Sequence, residues 1–173
     1  MADTFAIRKT ADLEKLKALQ KKMPNTLEIT SVRGSPPASL SCRITIPTAK
    51  DTNYPGTRQD VSVVEIQLPE RYPFQPPLVT FTTPIWNPNV YPSGKWCFGQ
   101  WKVTENLEMF IVRLMKVIAL DPTIINPSSP ANGPAASWYV DRQARQPGSF
   151  PTVKVLELMT ESEQPKIAWR NVK

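Results

Sequence analysis

The one cysteine placed for chemistry lies in the part of the chain least able to form regular structure. Residues 84–101 read Pro-Ile-Trp-Asn-Pro-Asn-Val-Tyr-Pro-Ser-Gly-Lys-Trp-Cys-Phe-Gly-Gln-Trp, with five aromatics, three prolines, two glycines and Cys97. Proline fixes φ and removes a backbone donor, so this stretch runs neither as a helix nor as a central strand. A rigid loop of this kind usually carries a site, and Cys97 is its strong nucleophile. A free thiol with a pKa of about 8.5 is a few per cent ionised at neutral pH, enough for exchange chemistry. The whole chain contains no histidine. That excludes Cys-His and Ser-His-Asp hydrolases and any metal held by imidazole. Cys42 and Cys97 are the only cysteines, too few for a four-thiolate zinc site, so no metal is expected. A disulfide between them is disfavoured in a reducing cytosol. The plainer alternative for either is a small buried apolar residue.

The elements that must position Cys97 fit one domain. A chain of 173 residues holds a full core, and nothing in it marks a second. We expect a single domain over 1–173, with its core over about 8–160 and a polar tail over 161–173. The longest apolar-rich run, 109–120, is interrupted by Arg113 and Lys116, so no bilayer span is expected. The first residues lack the pattern of a secretory signal, and the expected location is cytoplasmic. A net charge of +6 favours acidic partners. The 19 prolines fall between apolar segments and punctuate the fold.

Residues 10–23 space Leu13, Leu16, Leu19 and Met23 as one face of a helix that Pro24 closes. Its other faces carry Lys15, Lys17, Lys21 and Lys22, with Arg8 and Lys9 just before. These lysines form either a solvated face or a docking surface for an acidic partner. Three alternating segments follow: Leu27 and Ile29; Leu40, Cys42, Ile44 and Ile46; Val64, Ile66 and Leu68. Cys42 therefore faces the core. Residues 78–81 make a fourth strand, and short connections imply an antiparallel meander. A second helix spans 106–120, with Leu107, Phe110, Ile111, Leu114, Val117 and Ile118 on its apolar face and Thr104 or Asn106 as its cap. Residues 123–134 read as a proline-rich loop, 135–146 as a third helix and 152–160 as a last helical segment. Trp169 lies in the tail.

This order of elements resembles the ubiquitin-conjugating enzyme family across residues 10–145. Tyr72-Pro73-Phe74-Gln75-Pro76-Pro77 resembles the family's proline turn, and the strand holding Val79 and Phe81 resembles the one after it. Asn87-Pro88-Asn89 stands where the family carries His-Pro-Asn, and Cys97 follows Asn89 by eight residues, the family's interval to its active cysteine. Trp101 resembles the tryptophan beyond it, and residues 126–132 resemble the loop that gates the site. Two departures stand out: Asn87 replaces the histidine, and only Phe98, Gly99 and Gln100 separate Cys97 from Trp101, a shorter interval than usual. Both are similar to divergent bacterial members encoded beside an activating enzyme, a ubiquitin-like protein and a deconjugating metalloprotease.

The resemblance implies an α+β fold of the UBC type, a four-stranded antiparallel meander with an N-terminal helix, a central helix after the active-site loop and C-terminal helices. It implies an enzyme that takes a ubiquitin-like protein from an activating enzyme as a thioester on Cys97 and passes it to a lysine of a target. Asn89 would face the oxyanion and Ser129 orient the amine. Asn87, Pro88, Trp101 and Tyr72 would hold the loop in shape. Lys9, Lys15, Lys17 and Lys21 would dock the activating enzyme, and Phe74, Pro76, Trp96 and Pro130 would form an edge for a ligase. No cofactor belongs to this chain, since ATP is consumed by the activating enzyme. A bacterial setting implies a role in antiphage defence. The absence of histidine suits a thioester carrier, because a strong base beside a thioester activates water. Two other classes compete. One is a non-catalytic binding module on the same fold, which lacks the cysteine. The other is a basic nucleic-acid binder stacking bases on Trp86, Tyr91, Trp96 and Trp101, against which the lysines cluster on the first helix.

Overall fold

The computed structural model describes residues 3–150. Three helices and four strands follow in the order α1 (Thr4–Lys22), β1 (Leu27–Arg33), β2 (Ser39–Ile44), β3 (Ser62–Gln67), β4 (Leu78–Phe81), α2 (Leu107–Ile118) and α3 (Gly133–Arg145). The expected segment at 152–160 and Trp169 lie outside the described residues. No described helix is long and apolar enough to cross a membrane.

Helix α1 begins six residues before the expected start, because the Asp3 carboxylate accepts from Phe5 N at 3.0 Å and caps it. Its apolar stripe of Leu13, Leu16, Leu19 and Met23 is buried as the spacing requires. The sheet is a meander in the order β1-β2-β3-β4, with every pair antiparallel. Cys42 stands between Ile29 and Val64 in the register and is fully buried. Burial pushes its thiol up to about 12, so it packs as an apolar residue.

Helix α2 lies in the core, with Leu107, Phe110, Ile111, Leu114, Val117 and Ile118 all buried. Asn106 occupies its N-cap position without a side-chain cap bond. Helix α3 starts two residues before the expected boundary, where Asn132 Oδ1 accepts from Ala135 N at 3.2 Å.

A short hairpin extends the sheet beyond β4. Val90 pairs with Trp96, and Lys95 with Thr80. Phe81 N donates to Gly94 O at 2.8 Å and Trp96 N to Val79 O at 3.0 Å. Gly94 turns at φ +87°, and a Cβ there would meet Phe81 O at 2.6 Å. Only glycine fits so close an approach.

Candidate functional site

The hairpin register builds the site. Cys97 N donates to Asn89 O at 2.8 Å, Val90 faces Trp96, and Tyr91 N donates to Lys95 O at 2.9 Å. Side chains alternate across a strand, so Asn89, Tyr91, Lys95 and Cys97 share one face while Val90 and Trp96 fill the core. Cys97 is half-buried and carries no disulfide. It lines a cleft of about 260 Å³ with Asn89, Asn126 and Ser129. A larger, shallower groove of about 550 Å³ between α1 and β1 contains no cysteine.

Asn87 is fully buried behind this face. Its Nδ2 donates to Val117 O at 2.7 Å, and its Oδ1 accepts from Asn89 N at 2.9 Å. One amide therefore ties the hairpin to the end of α2, which a side chain with both a donor and an acceptor can do. Asn89 reaches the other way. Its Nδ2 donates to Ile124 O at 3.2 Å, and its Oδ1 accepts from Asn126 N at 3.1 Å. Pro88 O accepts from Ala131 N at 2.8 Å and from Asn132 N at 3.1 Å, pinning the loop that carries exposed Ser129 and Pro130 over the cleft.

Beneath Cys97, Trp96 is 2 % exposed and packs on Phe110 with ring centroids 4.6 Å apart. This corrects the expectation that Trp96 belongs to a ligase-facing edge, because the alternation that points Cys97 outward turns Trp96 inward. Phe74 is 64 % exposed and Pro76 half-buried. Trp101 Nε1 donates to Pro73 O at 2.7 Å, joining the proline turn to the segment after Cys97. Tyr72 is buried and donates its hydroxyl to Asp12, which also pairs with Arg8 Nε at 2.8 Å. Burial, with this bond adding, raises the Tyr72 phenol well above its ordinary value.

Lys15, Lys17 and Lys21 are exposed on α1. Lys9 is 7 % exposed, a second correction: it lies on the packed side of α1 together with Asp12 and Leu13 and shares no surface with the other three. Lys17 bonds Glu14 at 2.9 Å, with both side chains open to water, a pair of small energetic weight. Trp86 and Trp101 are half-buried, so with Trp96 in the core the aromatics do not form an open stacking surface.

Tyr91 is the residue that sequence reasoning passed over except as one aromatic among several. Interaction with the Cys97 sulfur on the same face raises its phenol above the ordinary value. The period of two from Asn89, which pairs across the turn with Cys97, to Tyr91, which pairs with Lys95, was the available signal. No group of three or more metal-ligating side chains occurs among the described residues.

Residues 10–147 match the sequence model of the family described as ubiquitin-conjugating enzyme. The ubiquitin-conjugating enzyme E2-20 kDa of Schizosaccharomyces pombe is 32% identical over 124 residues, covering 69% of this chain and 66% of that protein. The ubiquitin-conjugating enzyme E2 T of Bos taurus is 27% identical over 161 residues, covering 73% and 81%. Among solved structures, Ubc12 of S. cerevisiae aligns with a TM-score of 0.62 at 22% identity, over 82% of this chain and 74% of that one.

Proposed function

The chain belongs to the ubiquitin-conjugating enzyme family, and from that premise we propose that it carries a ubiquitin-like protein as a thioester on Cys97 and transfers it to a lysine. The carrying observation is the position of Cys97: half-buried, in a cleft shared with Asn89 and Ser129, on a hairpin tied to β4. In the first step the Cys97 thiolate attacks the carbonyl of the thioester on the activating enzyme, whose thiol leaves as one C–S bond replaces another. In the second, a lysine amine attacks the Cys97 thioester. The Asn89 amide has one N–H on Ile124 O and a second to offer the oxyanion. Ser129, on the loop held by Pro88 O, orients the amine, and a partly dehydrated cleft lowers the amine's pKa. The C–S bond then breaks and an isopeptide forms.

Charging with the cognate activating enzyme, ATP and modifier is expected to give an adduct that a reductant removes. Its absence with the true cognate set overturns the carrier role. Asn89→Ala is expected to keep thioester formation while slowing transfer to lysine by about 100-fold to 1,000-fold, the worth of one oxyanion donor. Single-turnover discharge measures this, and an equal loss in both steps would reduce Asn89 to a brace for residues 124–126.

Lys15, Lys17 and Lys21 dock the activating enzyme through their charge. Lys15→Glu combined with Lys17→Glu is expected to slow charging by roughly tenfold at low salt, an effect that shrinks as salt screens it. Charging rates that match wild type at every ionic strength return these lysines to solvent. Phe74, Pro76 and Pro130 supply an edge for a ligase. The one domain extends over residues 1–173. Asn87 in place of histidine and the short interval to Trp101, departures similar to those of divergent bacterial members, support a cytoplasmic bacterial setting with a role in antiphage defence.

A further inference from the structure

Residues 98–106, which connect Cys97 to α2, contain no helix or strand, and two arginines hold them. Arg8 grips the far end, donating to Val103 O at 3.2 Å and Glu105 O at 2.7 Å. Arg113 grips the near end, with Nη1 on Phe98 O at 3.2 Å and Nη2 on Gln100 O at 3.3 Å. Those two carbonyls flank Gly99, which turns at φ +73° and has nothing within 4 Å of where a Cβ would stand. Without the guanidinium, the glycine two beyond the nucleophile would lose the bonds that fix the carbonyl before it and the carbonyl after it.

Arg113 is an odd residue for its helix. Phe110 and Val117, on the same side of the helix one turn before and after it, are fully buried, while the Arg113 side chain is only partly open to water, and a half-buried cation there is costly unless its donors are used. They are used. Glu105 Oε2 accepts from Nη2 at 3.1 Å. Nε lies 2.7 Å from Glu105 Oε1, close enough to pair electrostatically, although its N–H is not aligned as a hydrogen bond. The guanidinium also sits 5.4 Å from the Phe110 ring centre and 5.8 Å from that of Trp96, two rings of the cluster that floors the cleft. A planar fork holds two carbonyls from separate nitrogens in a fixed geometry, whereas an ammonium offers its donors from one nitrogen on a flexible stem.

We propose that Arg113 is a positioning residue for the Cys97 thiol, clamping the shortened segment before Trp101 so that the sulfur is held in the cleft. This rests on Cys97 being the acyl acceptor. Loosening the clamp exposes sulfur to any small reagent but takes it out of register with Asn89, so two reactivities should move in opposite directions.

The test uses the full chain, its Arg113→Met variant and its Arg113→Lys variant, each assayed well below its melting temperature. Iodoacetamide alkylation is followed at the Cys97 peptide, and acyl exchange is followed with a synthetic peptide thioester ending in Gly-Gly. Arg113→Met is expected to raise alkylation about threefold and lower acyl exchange about tenfold, the size of effect that a small misplacement of reacting atoms produces. Arg113→Lys, which keeps the charge and carries the test should the methionine variant fail to fold, is expected to shift both rates in the same directions by a smaller factor. Rates that change together by one factor, or stay within twofold of wild type in both variants, overturn the proposal and leave Arg113 as a brace for stability. Wild-type protein that is alkylated but never acylated defeats the carrier reading itself, a result distinct from failure at Arg113.

Discussion

Cys97→Ala is expected to abolish the reductant-labile adduct completely while changing unfolding free energy by no more than about 1 kcal/mol. The thiol is half-buried at the mouth of a cleft, so losing one sulfur atom leaves little cavity, and substitutions at such sites fall at the small end of the mutational range. The chemistry has no substitute. Cys42 is fully buried, with its thiol pushed up to about 12, and it cannot take over the cargo. Cys97→Lys is expected to convert the labile adduct into one that survives reductant, since an amine at the same place captures the acyl group as an isopeptide. Gels run with and without reductant read both variants. A labile adduct that persists in Cys97→Ala would move the carrier role away from this residue.

Asn87→Ala is expected to lower stability by roughly 2–4 kcal/mol, because it leaves the part-buried Asn89 N–H without its acceptor, takes from the Val117 carbonyl one of its donors so that Leu120 N remains, and empties a fully buried side-chain site. For a domain of this size that corresponds to a fall of about 5–15 °C in the melting temperature. Charging and discharge should both decline, since the hairpin loses its tie to α2. A melting temperature unchanged within error would show that the amide is not what holds the loop. Asn87→His adds a check on the chemistry. A ring that donates to Val117 O must be neutral to accept from Asn89 N–H, so its folded pKa is depressed below about 6.5. The stability it supplies is then present above the unfolded pKa and lost as pH falls through the folded one. The natural amide does not titrate, and the loop's fastening is indifferent to pH.

The meander was legible because the strands after β1 each show one buried face: Leu40, Cys42 and Ile44 are buried and alternate with less buried residues, and the register follows from that period. The family likeness was legible because its motifs are local. The start of α1 was not. Ile7 is 55 % exposed, so the apolar stripe breaks there, and Phe5 is used instead against Phe74, with ring centroids 5.9 Å apart. Lys9 was misplaced for the same reason, since the packed side of α1 continues through Lys9 and Asp12, which carry charge. Trp96 was misplaced because an aromatic beside an active cysteine looks like surface until the hairpin register assigns it a side. The partners of Asn89, Ile124 and Asn126, lie more than thirty residues along the chain, and no local pattern encodes such contacts. Arg113 entered the sequence reading only as an interruption of an apolar run. Its use as a clasp appears when the chain returns to bring Phe98 and Gln100 beside it.

The hairpin's attachment to β4 also sets the mechanics of the site. On the proposed carrier role, a protein held by the Cys97 sulfur would pull on that atom with every thermal collision, through a lever far longer than the side chain. The load first meets the bond from Cys97 N to Asn89 O, then passes through Trp96 N to Val79 O and Phe81 N to Gly94 O into the sheet. Because Gly94 lies so close to Phe81 that even a methyl group would not fit, the joint has little room to yield, and such a load would enter the sheet at β4 and pass from strand to strand.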